Sequence, residues 1–233
     1  MPPLDGYVVV DLSTGIAGAY CTKLLADGGA DVVKVEAPEG DPLRRWSASG
    51  AQIPPEEDGA LFSFLAGSKH SVVADPDTDP DTDPDVDFVN ALLADADAVV
   101  WSRGSTVAEH RAFTPAEIHR VHPHLTVTAI TPFGLEGPWQ DRPATEFTLQ
   151  AWSGGIVGLG RGSPDRAPVF IGGQVGDYLA GAYASAATMA SRMRGAAELI
   201  DLSMLEAQIL GLTYYPVTYF EMLGHRRTPR PHD

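Results

Sequence analysis

The sequence contains little cysteine and few basic side chains. Cys21 is the only cysteine among 233 residues, which leaves no pair for an internal disulfide and no cysteine cluster for a metal ion. Sixteen Lys and Arg residues stand against 31 Asp and Glu residues, for a formal net charge of −15. This charge argues against a nucleic-acid-binding protein, which needs a basic face. The single cysteine fits a reducing compartment.

Long apolar runs are absent as well. No window approaches the ~20 apolar residues of a membrane span. The first residues, MPPLDGYVVVDLS, show neither the basic region nor the apolar stretch of a signal peptide. We therefore expect a cytoplasmic protein with no membrane or nucleic-acid partner.

Several motifs that would indicate a cofactor or a common catalytic centre are also missing. No G-x-S-x-G element is present, which argues against an α/β-hydrolase serine. Neither G-x-G-x-x-G between the first strand and helix nor a Walker lysine spacing is found, so a nicotinamide or nucleotide site is not predicted. His122 and His124 flank Pro123 without further ligands at a zinc spacing, and surface histidines are the favoured interpretation. No metal site is predicted.

The first part of the chain alternates between strand and helix patterns. Apolar, β-branched runs predict strands at 6–13, 30–38, 71–75, 97–102 and 125–134. Helices are predicted at 17–29, within 59–70, at 86–96 and at 114–123. The first strand, helix and strand have the length of a βαβ unit, which predicts a parallel pair with a right-handed crossover. The fold class is therefore α/β.

The second part of the chain differs in composition and in its predicted elements. Residues 135–176 are rich in glycine and predict loops. A helix is predicted at 177–193, a strand at 197–203, and a further helix after it that Pro216 interrupts. The last ten residues predict no element.

Asp177 is an isolated carboxylate in a segment of small and apolar residues, VFIGGQVGDYLAGAYASAATMA (169–190). One interpretation is an N-cap, because a carboxylate is stabilised at a helix N-terminus. The other is a nucleophile, because the glycines before Asp177 would let a large substrate approach closely. The residues alone leave both open.

Six stretches together resemble the family III CoA-transferases, the group of formyl-CoA and carnitine CoA-transferases. They are LDGYVVVDLSTGIAGAYCTKLLADGGADVVKVEAPEGDPLR (4–44), GSKHSVVAD (67–75), ADAVVWS (96–102), TPFGLEGPWQDRP (131–143), EFTLQAWSGG (146–155) and GGQVGDYLAGAYA (172–184). The resemblance implies a Rossmann-like parallel sheet with flanking helices. It implies a CoA-binding domain over 1–213, with a glycine-rich active-site segment at 144–184. Residues 214–233 then form a helix end and a linker towards a second domain.

The resemblance also implies a mechanism. Asp177 is expected to attack the carbonyl of an acyl-CoA, giving an acyl-aspartyl anhydride and CoA thiolate. The thiolate then forms an aspartyl-CoA thioester, which a carboxylic acid attacks in turn. Glu146 matches a second active-site acid, although a glutamate at a helix start is the simpler alternative. CoA thioesters are thus expected as substrates, and no permanently bound cofactor is predicted.

Six further residues are implied to bind CoA. Gly15 and Ile16 match positions near the substrate and CoA, and Lys69 and Ala74 match the strip along the nucleotide end. Arg142 is expected to contact CoA or to close the site. Ser102 lies where relatives often carry Asn, and Ala37 lies where some relatives carry an Arg that contacts CoA.

Two alternatives accompany the transferase prediction. Racemases of the same fold use a His directly before the acid of the EFTLQA element, but this chain has Thr145 there, so a second base is missing. Family members are also longer and form interlocked dimers. The chain is therefore expected to be a fragment, one subunit of a split enzyme, or a CoA-ester-binding protein without activity. A homodimer or a heteromer with a C-terminal half is the expected assembly.

Overall fold

The computed structural model describes residues 1–76, 83–158 and 167–212. Their six strands form one parallel sheet in the order β3-β2-β1-β4-β5-β6. The strands are β1 (Val8–Leu12), β2 (Asp31–Glu36), β3 (His70–Val73), β4 (Ala98–Ser102), β5 (Thr126–Thr131) and β6 (Leu199–Ser203). This is the strand order of doubly wound dinucleotide-binding folds. The predicted α/β class, with a Rossmann-like parallel sheet and flanking helices, is confirmed.

Eight α-helices lie within these described residues. They are α1 (Gly15–Asp27), α2 (Ala60–Leu65), α3 (Pro84–Asp95), α4 (Thr106–Glu109), α5 (Pro115–Val121), α6 (Glu146–Trp152), α7 (Val175–Arg194) and α8 (Met204–Leu212). Each strand predicted from the sequence is present, with ends that differ by a few residues. The predicted domain end at 213 and the linker at 214–233 lie outside the described residues, and this division remains a prediction.

Alternate strand residues pack into two cores on opposite faces of the sheet. Val10 and Val99 belong to the core that α3 and α5 cover, while Val9 and Val100 belong to the core beneath α1 and α7. Because successive side chains of a strand point to opposite faces, near-continuous apolar strands fill both cores. This explains why the strand patterns in the sequence were apolar rather than alternating.

Helices α1 and α7 cross closely on one face of the sheet. A Cβ at Gly181 of α7 would lie 2.5 Å from the carbonyl oxygen of Ala17 in α1. Only glycine fits this crossing, because any side chain would push the helix axes apart. The small residues that make the sequence of α7 unusual therefore let its second turn pack against α1.

Asp177 lies at the carboxyl edge of the sheet. Helix α7 precedes β6, which is parallel to β5, so α7 runs antiparallel to the strands and begins at their carboxyl ends. Helix α8 begins at the same edge, where the amide of Leu205 donates to the carbonyl of Pro132 just after β5. Ligands of doubly wound sheets bind at this edge.

Helix α6 lies inside the segment that was predicted to form loops, and only the alternative interpretation of Glu146 placed a helix start there. Its start is stabilised locally by Thr145, whose hydroxyl accepts from the amide of Thr148, and by Thr148, whose hydroxyl accepts from the amide of Thr145. This reciprocal capping satisfies backbone donors at the start of the helix. It also makes Glu146 the first residue of a helix.

Candidate active site

Asp177 is the third residue of α7 rather than its N-cap. The N-cap is Gln174, which has a left-handed backbone with φ of 57°, and Gly173 before it has φ of 76°. Two successive residues with positive φ turn the chain sharply into the helix, and a left-handed backbone is uncommon outside glycine. The N-cap interpretation of Asp177 is therefore wrong.

The carboxylate of Asp177 is half-buried, and none of the described residues donates a hydrogen bond to it. Burial, and to a lesser degree the negative charge of Glu146, together raise the pKa of Asp177 from 3.8 to about 7. An acid poorly solvated at a helix N-terminus loses part of the stabilisation that its anion would have in water. Such a shift is typical of functional sites.

Glu146, in contrast, is held by three donors. Its Oε1 accepts from the backbone amide of Gly176 at 2.7 Å and from Nε2 of Gln150 at 2.6 Å. Its Oε2 lies 3.4 Å from Nε2 of Gln208. The first of these bonds joins the start of α6 to the residue directly before Asp177. The structure thus brings together the two acids that the sequence singled out.

Gln150 fixes the turn that leads into α7. It is fully buried, and its side chain makes two bonds with the backbone of Ile171. Its Oε1 accepts from the Ile171 amide at 2.9 Å, and its Nε2 donates to the Ile171 carbonyl at 2.8 Å. Because the same Nε2 also donates to Glu146, a single side chain connects α6, the turn and the acid.

Three of the residues implied to bind CoA lie around the β1–α1 turn, since Gly15 and Ile16 begin α1 and Ser102 ends β4. Ser102 at the end of β4 fastens it: its Oγ accepts from the amide of Thr14 at 2.9 Å and donates to the Thr14 carbonyl at 3.0 Å. Gly15 has φ of 79° and open space where a side chain would stand. Ile16 belongs to a small buried cluster with Leu43 and Phe62, against which the partly buried Tyr178 packs.

A cleft opens beside this turn at the carboxyl edge of the sheet. It is lined by Thr14 after β1, by Ala37 and Asp41 after β2, and by Ser105 after β4. Strands β1 and β4 are neighbours, yet the chain proceeds from them in opposite directions across the sheet. This is the switch point at which doubly wound folds bind ligands.

Lys69 and Ala74 face the interior. The side chain of Lys69 is 2% exposed, and its Nζ donates to the carbonyl of Ala19 at 2.9 Å and to Oγ1 of Thr22 at 2.7 Å, with Asp11 Oδ2 at 3.5 Å. Ala74 is buried, and its amide donates to the carbonyl of Glu36. The described contacts of both are thus with the protein, and their part in binding CoA remains a prediction.

Arg142 is exposed and stacks on two aromatic rings. Its guanidinium lies 4.9 Å from the ring centre of Trp139 and 5.0 Å from that of Trp152, the last residue of α6. The two indoles are themselves in contact, with centroids 4.8 Å apart. Arg142 is therefore ordered next to the helix that begins with Glu146, and its role in closing the site remains a prediction.

Sequence reasoning missed two members of this site, and for different reasons. Gln150 lies four residues after Glu146, so the helical i, i+4 spacing would have paired them once α6 was recognised. Gln208 belongs to α8, far along the chain from both acids, and no local spacing indicates its position. No cluster of three potential metal ligands occurs among the described residues. None of the helices in the described parts is long and apolar enough to cross a membrane.

Comparisons with known proteins show which proteins this chain is similar to. The chain is 31% identical over 233 residues to succinyl-CoA–D-citramalate CoA-transferase of Chloroflexus aurantiacus, with 97% of the chain and 54% of that relative covered. It is 30% identical to succinate–glutarate CoA-transferase of Agrobacterium fabrum, with 94% and 55% covered. The chain thus spans about half the length of the curated relatives it matches.

A solved structure shares the fold. The crystal structure of a CAIB/BAIF family protein from Brucella suis superimposes with a TM-score of 0.79 at 30% identity, and the match covers 97% of this chain and 59% of that one. The family description "CoA-transferase family III" matches residues 4–233. The chain belongs to CoA-transferase family III.

Proposed function

We propose that the protein to which this chain belongs transfers CoA from an acyl-CoA to a carboxylic acid, with Asp177 as the nucleophile. The observation that carries the proposal is the contrast between the two acids. The carboxylate of Glu146 is occupied by three hydrogen-bond donors, whereas no described residue donates to that of Asp177. A carboxylate that is poorly solvated and unoccupied is suited to attack a carbonyl.

The reaction then follows in four balanced steps. Asp177 Oδ attacks the thioester carbonyl, and the C–S bond breaks to give a mixed anhydride and CoA thiolate. The thiolate attacks the aspartyl carbonyl and releases the donor acid, leaving an aspartyl-CoA thioester. The acceptor carboxylate attacks that thioester, and the thiolate released adds to the acyl carbonyl of the new anhydride. The new acyl-CoA leaves and Asp177 is regenerated.

Glu146 serves this reaction through the backbone. Its bond to the Gly176 amide holds the first turn of α7, and its negative charge raises the pKa of the neighbouring Asp177. A higher pKa makes Asp177 a stronger nucleophile in its ionised form, at the cost of a smaller ionised fraction at neutral pH. A value of about 7 balances both demands.

The switch-point cleft is our proposed place for part of the CoA. Gly15 and Ile16 follow Thr14, which lines the cleft, and Ser102 is bonded to Thr14; an unobstructed glycine lets a ligand approach the backbone. Arg142, Lys69 and Ala74 are proposed as further contributors from the family resemblance. The relatives contain a further half that this chain does not span. We propose that the corresponding half is supplied by a longer form of this chain or by a partner subunit.

The experiment that tests this function traps the covalent intermediate. Succinyl-CoA is the chosen donor, because the names of both relatives contain succinyl-CoA or succinate. The chain is incubated with succinyl-CoA and hydroxylamine, both alone and together with the half of the relatives that it does not span. The masses of its peptides are then measured by mass spectrometry. A hydroxamate on the peptide that contains Asp177, absent in Asp177→Ala, supports the proposal. If neither preparation gives an adduct, the transferase proposal is wrong and the alternative of a CoA-ester-binding protein without activity stands.

The racemase alternative is tested in the same preparations. Thr145, where a racemase would carry its second base, uses its hydroxyl to cap α6. We therefore expect no exchange of the α-proton of a branched acyl-CoA in deuterium oxide. Exchange without any acceptor acid would contradict the transferase proposal.

A further inference from the structure

Gln208 is a buried amide at the junction of α6, α7 and α8. It is fully buried, and its Nε2 lies 3.4 Å from Oε2 of Glu146. The other oxygen of Glu146 accepts from Gly176 and Gln150. Gln208 is therefore the described donor that faces the second oxygen of this carboxylate.

The Gln208 amide also packs directly on the backbone before Asp177. A Cβ at Gly176 would lie 2.0 Å from Nε2 and 2.4 Å from Cδ of Gln208. The amide thus fills the space that a side chain at position 176 would need. Glycine at this position and glutamine on α8 are complementary, and together they keep Glu146 against the backbone of α7.

The orientation of the amide is determined by Glu146. Oε1 of Gln208 is buried and has no hydrogen-bond partner among the described residues. Exchanging the oxygen and nitrogen would place an acceptor against the carboxylate oxygen, which is repulsive. A buried acceptor without a partner is unfavourable, so an apolar residue of the same volume would serve packing alone better.

We propose that Gln208 is a positioning residue of the acyl-transfer site, which fixes the Glu146 carboxylate on the Gly176 amide and thereby the first turn of α7 that carries Asp177. This role rests on the proposed function of Asp177. It assigns to α8 a direct link with the nucleophile turn, through one side chain and one carboxylate.

The test is a double-mutant cycle between Gln208 and Glu146. Gln208→Met keeps the volume and removes the donor, and Glu146→Gln removes the charge that it faces. We expect Gln208→Met to lower the rate of hydroxamate formation at Asp177 about tenfold, with the succinyl-CoA concentration at half-maximal rate unchanged. In the Glu146→Gln background the same change is expected to cause no further loss, because Gln208 acts through Glu146.

A matched control separates positioning from general destabilisation. Thr188→Val removes a buried hydrogen bond of 2.7 Å between Thr188 and Thr128, on the same helix as Asp177 but far from its first turn. It is expected to lower Tm without changing the rate of hydroxamate formation. Equal losses of rate in Thr188→Val and Gln208→Met, or additive losses in the double mutant, would overturn the proposal.

A second readout needs no CoA transfer. Glycine labelled with nitrogen-15 reports the amide resonance of Gly176, which a short bond to a carboxylate shifts downfield. We expect the resonance to move upfield in Gln208→Met and in Glu146→Gln, and to stay in place in Thr188→Val. An unmoved resonance in Gln208→Met overturns the role of Gln208 whether or not Asp177 is acylated. Absence of acylation in the unsubstituted protein overturns the proposed function alone.

Discussion

The backbone amide of Gly176 donates a 2.7 Å hydrogen bond to Oε1 of Glu146, and the next residue in the chain is Asp177. The two acids are 31 positions apart in the sequence, and their carboxylates have different roles in the structure. Glu146 holds the turn, whereas Asp177, at the start of a 20-residue helix, accepts no hydrogen bond from any described residue. The same pair couples electrostatically, since the charge of Glu146 raises the pKa of Asp177.

Gly176→Ala is expected to damage this junction. The new Cβ would lie 2.0 Å from Gln208 Nε2 and 2.7 Å from Glu146 Oε2, so both side chains must move. Overpacking of this kind costs about 1–3 kcal/mol of unfolding free energy. Denaturant unfolding measures the loss, and acylation of Asp177 should fall with it. Gly172→Ala is the control, because nothing lies within 4 Å of its Cβ, and equal losses would contradict the explanation.

Asp177→Asn is expected to stabilise the protein at high pH. The pKa of Asp177 is raised from 3.8 to about 7, so between these values the native state binds more protons than the unfolded state. The unfolding free energy from this group therefore falls as the pH rises through that window. We expect Asp177→Asn to raise Tm at pH ~8 and to change it little at pH ~4. A Tm difference that does not depend on pH would contradict the desolvated carboxylate.

Glu146→Gln is expected to lower the pH at which Asp177 becomes reactive. The charge of Glu146 is the second cause, after burial, of the raised pKa of Asp177. Without that charge, the midpoint of Asp177 acylation against pH should move from about 7 towards lower pH. Single-turnover acylation from pH ~5 to ~9 measures it. A midpoint that stays in place would show that burial alone sets the pKa.

Lys69→Met is expected to destabilise the fold. Burial alone would raise the pKa of Asp11, but the ammonium groups of Lys34 and Lys69 and the hydroxyls of Ser13 and Thr22 hold it below its usual range. Removing one cation from a buried ionic group costs about 3–5 kcal/mol, because the carboxylate is left undercompensated.

The comparison for that measurement is Lys23→Met. Lys23 pairs with Asp27 at 3.0 Å along α1; the lysine side chain is 14% exposed, but the aspartate that the substitution leaves unpaired is 49% exposed and stays solvated. Surface pairs contribute about 0–1 kcal/mol. Equal effects of the two substitutions in denaturant unfolding would contradict the buried role of Lys69.

The sheet was predictable because its strands have a strong local pattern. Apolar β-branched runs such as Val8–Leu12 and Asp31–Glu36 need burial on both faces, and the intervening helices have the length of parallel crossovers. The order of the strands depends on tertiary packing and was not predicted, since the family resemblance implied only a Rossmann-like parallel sheet with flanking helices. Helix α6 was anticipated only as an alternative for Glu146, because its start depends on reciprocal capping by Thr145 and Thr148 within a segment whose composition indicates loops.

The two acids of the candidate site were predicted, but the groups that hydrogen-bond to Glu146 were not. Asp177 and Glu146 were found from the family pattern, whereas the bond that joins them uses the backbone of Gly176, which no side-chain pattern reveals. Lys69 illustrates the opposite case, since a lysine next to glycine and serine gives no sign that its ammonium lies against Asp11, 58 positions away. Such contacts depend on the tertiary packing of α1 against the sheet.

If Asp177 is the nucleophile, one of its carboxylate oxygens is replaced by an oxygen of the acceptor acid in each turnover, and an isotopically labelled acceptor measures this exchange. Glutarate that carries oxygen-18 in its carboxylates is incubated with succinyl-CoA, the protein and the half of the relatives that the chain does not span. The mass of the peptide that contains Asp177 is then measured. Attack of the acceptor on the aspartyl-CoA thioester, followed by thiolate attack on the acceptor carbonyl, leaves a labelled oxygen on Asp177. We expect oxygen-18 in the Asp177 carboxylate after turnover, and formation of glutaryl-CoA with an unlabelled Asp177 would contradict covalent catalysis by this residue.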